Sequence, residues 1–73
     1  MNAPQPITSR PIKPGTFQVH EHQPTYACRH YTLTGPVEQH SDRDLLIYCG
    51  YTPEFGGRVE RRPGIAFVTV HTD

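Results

Sequence analysis

Residues 58–71 read RVERRPGIAFVTVH, and this stretch decides the fold. From Ile65 to His71 the side chains alternate, with Ile65, Phe67, Thr69 and His71 on one side and Ala66, Val68 and Val70 on the other. A period of two is the signature of a strand. Pro63 and Gly64 suit the two central positions of a type II turn, since proline presets the first and glycine accepts the positive φ of the second. A C-terminal hairpin pairing Arg58–Arg61 with Ile65–Val70 follows. Just ahead of it, Phe55-Gly56-Gly57 lacks the Lys-Ser/Thr that completes a phosphate-binding loop, so the two glycines read as a bend or bulge leading into the hairpin.

Toward the N-terminus the same periodicity recurs twice. Thr16 to His22 (TFQVHEH) puts Phe17 and Val19 on one side and Gln18 and His20 on the other, the pattern of a half-buried strand. Gln23-Pro24-Thr25 interrupts it. Tyr26 to Leu33 (YACRHYTL) resumes with Tyr26, Cys28 and His30 one way and Ala27, Arg29, Tyr31 and Leu33 the other, a second strand antiparallel to the first, which Thr34-Gly35-Pro36 ends. Ser41-Asp42-Arg43-Asp44 then precedes Leu45-Leu46-Ile47-Tyr48-Cys49 and Gly50. A serine followed three residues later by an acid satisfies free amides at a helix start, and glycine suits the left-handed cap at its end. Leu45, Leu46 and Cys49 would be the buried stripe of a short helix; residues 42–49 also read as a strand, because the apolar run has strand length. The expected fold is α+β: a small, mostly antiparallel sheet with one short helix over residues 16–73, preceded by an extended Pro-rich arm over residues 1–15.

That arm, MNAPQPITSRPIKPG, carries Pro4, Pro6, Pro11 and Pro14, the cations Arg10 and Lys13, and no acid. Each proline lacks an amide donor and keeps the preceding residue out of the helical region, so the arm joins no helix or central strand. All seven acidic residues fall in the body, against five of the seven basic ones. A cationic arm on a mildly acidic body describes a binding protein that reaches into a negatively charged groove. Formal net charge is zero, which argues against indiscriminate coating of nucleic acid and leaves any such contact to a local patch. Arg58, Arg61 and Arg62, interrupted by Glu60, offer a secondary patch for phosphate or an acidic partner; Glu60 and Arg62 alternate with Arg61 along the strand, so the patch is a mixed surface and not a clean basic stripe, and solubility alone would account for it. At 73 residues the chain is one domain of modest stability. Met-Asn-Ala-Pro opens no apolar leader and no apolar run approaches membrane-spanning length, so the cytoplasm is expected, with Cys28 and Cys49 as free thiols.

Two chemistries compete with simple binding. Cys28, His30, His40 and Cys49 are zinc-ligand types, but their spacing lacks the two close pairs of common structural zinc modules. A small zinc-binding or redox module built on them is the alternative reading. A cysteine nucleophile would need Cys28 beside His20, His30 or His40 together with an orienting group in a shaped site, which so small a domain rarely encloses. The chain is therefore expected to be no enzyme and to need no cofactor.

Over essentially its whole length, through the arm PITSRPIKPG, the body FQVHEHQPTYACRHYTL and the tail GRVERRPGIAFVTVHTD, the chain resembles the small host-RNA-polymerase-binding transcription regulators of Xanthomonas-infecting lytic phages. The chain itself is expected to be a monomer; the resemblance implies a protein that docks on bacterial RNA polymerase near the N-terminus of β′ and the RNA exit channel. It further implies inhibition of host promoter use and readthrough of terminators, without catalysis. Arg10 and Lys13 would then contact nascent RNA or acidic polymerase residues, and the body would dock through an apolar patch or an open strand edge. An inhibitor of a different host enzyme is a further alternative.

Overall fold

The computed structural model describes residues 12–72. In chain order the elements are β1 (Gln18–Glu21), β2 (Cys28–Thr34), a single 3-10 turn (Val37–Gln39), α1 (Asp42–Tyr48), β3 (Gly57–Arg62) and β4 (Ile65–His71). The strands form one antiparallel sheet in the order β1-β2-β4-β3. The fold is thus α+β with a small antiparallel sheet and one short helix. Residues 1–11, most of the expected arm, lie outside the described residues.

The hairpin forms as its turn chemistry predicts. Gly64 takes φ +71°, in the region a type II turn reserves for glycine. Its amide donates to Glu38 Oε2 at 2.7 Å and its carbonyl accepts from the Gly35 amide at 3.0 Å, so the turn is tied to the segment leaving β2. The Gly64 amide, foremost, holds the Glu38 carboxyl below its ordinary range.

Residues 42–48 are helix, which resolves the helix-or-strand ambiguity. Ser41 Oγ accepts from the Asp44 amide at 3.1 Å, capping α1 as the sequence predicts, and Gly50 follows the helix at φ +89°. Local capping favours the helix, and burial of one face fixes it in place. Leu45 is fully buried, while Leu46 and Cys49 pack at the margin of the core.

Directly opposed residues of paired strands share a face. On the inner face Leu33, Ala66 and Arg61 stand in one row and Tyr31, Val68 and Val59 in the next. The core consists of Phe17, Leu33, Val37, Leu45, Ala66, Val68 and Val70, with α1 packed over β3 and β4. Gly57 permits that approach: a Cβ there would stand 2.6 Å from the Thr69 carbonyl oxygen and 2.8 Å from Leu46 Cδ2. Arg61 clasps the helix start to β3. Its Nε donates to Asp42 Oδ1 at 2.8 Å, its Nη1 to the Val37 carbonyl at 2.8 Å and its Nη2 to the His40 carbonyl at 2.7 Å.

Two sequence expectations need correction. Thr16–His22 is not a half-buried strand: β1 spans only Gln18–Glu21, all four residues are exposed, and Val19 is 49% accessible. Helix α1 covers β3 and β4 rather than β1, so among the described residues the inner face ends at an uncovered edge, and Phe17 reaches the core from just before the strand. Strand β2 begins at Cys28 rather than Tyr26. Tyr26 and Ala27 instead form a tight turn bridged by Thr25 and Cys28, with Ala27 at φ +61° and Tyr26 94% exposed.

Candidate functional site

The sheet face opposite α1 contributes nothing to the buried core. Register places four rows across it: Gln18, Thr34, Ile65 and Arg62; His20, Thr32, Phe67 and Glu60; His30, Thr69 and Arg58; and Cys28 with His71. Phe67 stands on the central strand β4 and is 41% exposed, an aromatic ring presented to solvent in the middle of a polar surface. Around it, threonines and histidines interlock. His22 Nε2 hydrogen-bonds Thr32 Oγ1 at 2.6 Å, His30 Nε2 bonds Thr25 Oγ1 at 2.7 Å, and His30 Nδ1 meets Thr69 Oγ1 at 3.3 Å. The His20 and His22 rings lie 4.5 Å apart.

The edge of the sheet at β1 is the second feature. The His22 amide donates to the His30 carbonyl at 2.9 Å, which sets the antiparallel alternation: Gln18, His20 and His22 bond to β2. The amides and carbonyls of Val19 and Glu21 therefore point away from the sheet. Among the described residues no strand pairs with them.

The basic residues singled out in the sequence divide three ways. Arg10 lies outside the described residues. Lys13 is exposed, its carbonyl accepting from the Thr16 amide at 3.1 Å and Thr16 Oγ1 at 2.7 Å, while the neighbouring Ile12, at the end of the arm, packs against the core. Arg58 and Arg62 are exposed on the outer face and form no ion pair among the described residues. Arg61 points to the inner side, where the clasp on Val37, His40 and Asp42 occupies its guanidinium.

The four alternative zinc ligands are not brought together. Cys28 and His30 sit on the outer face, whereas His40 stacks edge-on to Phe17 at 5.4 Å and Cys49 packs at the core margin under α1. No cluster of three His, Cys, Asp or Glu residues able to hold a metal occurs among the described residues. Cys28 pairs with a histidine that the sequence reading did not consider: its Sγ lies 3.2 Å from His71 Nδ1. This contact borders an open cleft of about 240 Å³ lined by Arg29, Cys49, Phe55, Val70 and His71. Burial pushes the Cys49 thiol up to about 12, so it stands in the cleft as a neutral group. Cys28 and His71 are 43 residues apart, and only the β2–β4 register joins them. Phe67 was more legible, since the wholly apolar set Ala66, Val68 and Val70 marks the core side of β4 and sends Phe67 outward.

The chain matches no protein-family model, no curated protein and no solved structure.

Proposed function

We propose that this chain is a non-enzymatic transcription regulator that docks on bacterial RNA polymerase near the N-terminus of β′ and the RNA exit channel. There it inhibits host promoter use and promotes readthrough of terminators, as part of a phage's takeover of its host cytoplasm. The observation that carries the reading is the β1 edge, whose outward backbone groups at Val19 and Glu21 meet no strand among the described residues and can pair with an extended polymerase segment. Strand addition of this kind takes its affinity from main-chain hydrogen bonds and its selectivity from flanking side chains. Half-exposed Val19 is placed to supply an apolar contact beside that ladder. The resemblance of arm, body and tail to polymerase-binding phage regulators supports the choice of partner. Among the described residues no helix is long and apolar enough to cross a membrane, in keeping with work on a polymerase inside the cell.

In this division of labour the body binds and the arm acts. A short cationic arm contributes salt-sensitive contacts inside a charged channel, whereas a folded face can bury the surface that a lasting complex needs. The test is capture of purified bacterial core polymerase by the tagged full chain, alongside a termination assay. Changing Arg10 and Lys13 together to Glu should leave capture nearly intact and weaken readthrough. Failure to capture polymerase overturns the reading, and loss of capture in the double variant makes the arm the anchor.

A further inference from the structure

The outer face of the sheet has no part in docking through the β1 edge, and its chemistry points elsewhere. We infer that this face binds single-stranded RNA, with a base stacked on Phe67 and the strand's phosphates against Arg58 and Arg62. That the strand is RNA rather than DNA rests on the exit-channel reading above; the stacking and charge do not.

Three placements carry the inference. Phe67 offers a solvent-facing ring on a central strand, and exposed aromatic rings on an open sheet are where unstacked bases settle. Arg58 and Arg62 share that face of the neighbouring strand β3, four residues and so about 13 Å apart, on either side of the residue opposite Phe67. Neither arginine is held by a carboxylate among the described residues; Arg62 Nη1 donates to the Arg61 carbonyl at 3.0 Å, which leaves its remaining donors, and the whole Arg58 guanidinium, to meet phosphate. The residue between them is Glu60, directly opposite Phe67. A lone carboxylate beside a stacking ring repels phosphate but accepts from an exocyclic amine, so it selects a base edge at the point where the cations select backbone. Thr32 and Thr69 flank Phe67 on β2 and β4; their hydroxyls bond the rings of His22 and His30 and keep acceptor capacity for sugar and base donors.

The arrangement favours cytosine over uracil above Phe67, because only cytosine brings an amine to Glu60. Net charge close to zero agrees with this local footprint, in which two phosphate contacts frame one stacked base.

The test uses the full chain and fluorescein-labelled oligonucleotides of about ten nucleotides, within the span that single-strand-binding folds cover. Polarisation at low salt should show oligo(rC) bound more tightly than oligo(rU) and oligo(dC). Phe67→Ala should weaken oligo(rC) binding roughly 5- to 150-fold, the range for losing one stacked base. Arg58→Gln with Arg62→Gln should flatten the logarithmic salt dependence by about 1.4, since each phosphate contact on a single strand contributes about 0.7. Circular dichroism checks that these exposed positions leave the fold intact. Unchanged binding in both variants overturns the inference, as does tighter binding of oligo(dC). A dimer in sedimentation that Phe67→Ala disperses would give the face to a second copy and overturn it as well. Polymerase capture without oligonucleotide binding refutes this face alone, whereas oligonucleotide binding without capture refutes the polymerase reading and leaves the face standing.

Discussion

Proline at position 19 separates docking from folding. Along β1 the ladder to β2 runs through Gln18, His20 and His22, so the Val19 amide faces outward and Val19→Pro deletes no hydrogen bond of the sheet. Proline is tolerated on edge strands where the missing amide would face solvent. The valine side chain is already half exposed, so losing its packing costs at most about 1 kcal/mol. His20→Pro is the matched control. It removes the amide that bonds the Thr32 carbonyl and should destabilise by on the order of 1–3 kcal/mol. For an incoming strand the order reverses. Val19→Pro takes away an outward donor and puts a ring in the path of the added strand, and polymerase affinity should fall at least about tenfold, equivalent to roughly 1.4 kcal/mol. Urea denaturation followed by circular dichroism reads the first effect, and biolayer interferometry on immobilised core polymerase reads the second. Native-like affinity of Val19→Pro would show that docking does not use this edge; destabilisation equal to that of His20→Pro would refute the alternation itself.

Leu45 is fully buried in a core of seven residues, so Leu45→Ala should cost about 2–5 kcal/mol and Leu46→Ala distinctly less, although both share the apolar stripe in the sequence; equal shifts in denaturation midpoint would contradict the packing of α1. Cys49 sets an alkaline limit. Its thiol is raised from 9.0 to about 12 by burial, so the native state keeps a proton that the unfolded chain releases. The resulting stability is complete below about pH 9 and is lost as pH rises toward 12, and Cys49→Ala should flatten that window in pH-dependent melting. Because the thiolate is the nucleophile, Cys49 should also resist iodoacetamide in the native protein at neutral pH; mass spectrometry showing it modified as fast as in urea would refute its burial.

The elements that could be read from the sequence are those whose causes lie within a few residues. Pro63-Gly64 names its own turn, Ser41 caps the helix that starts beside it, and the alternation from Ile65 to His71 marks one apolar side. Each rests on backbone preferences and local hydrogen bonds that need no partner elsewhere in the chain. What the sequence could not settle depends on which strand lies beside which and on where the helix comes to rest. Because α1 settles on β3 and β4, Val19 is left half exposed on an edge strand that no other described strand pairs, although its spacing matches a buried position. Because β2 pairs with β4, Cys28 meets His71 rather than His20, His30 or His40. The alternation along β3 already sets Arg61 against Glu60 and Arg62 in the sequence, but only the tertiary structure shows what it meets: the pleat turns Arg61 inward to the carbonyls of Val37 and His40 and leaves Arg58 and Arg62 outward around Phe67. Sequence alone determined the C-terminal hairpin, its turn and the cap at Ser41; tertiary structure decided between helix and strand for residues 42–48, which face is buried and, among the described residues, which edge stays unpaired and which cations stay clear of an ion pair, because burial and pairing are settled by long-range contact between segments and not by the preferences of any one of them.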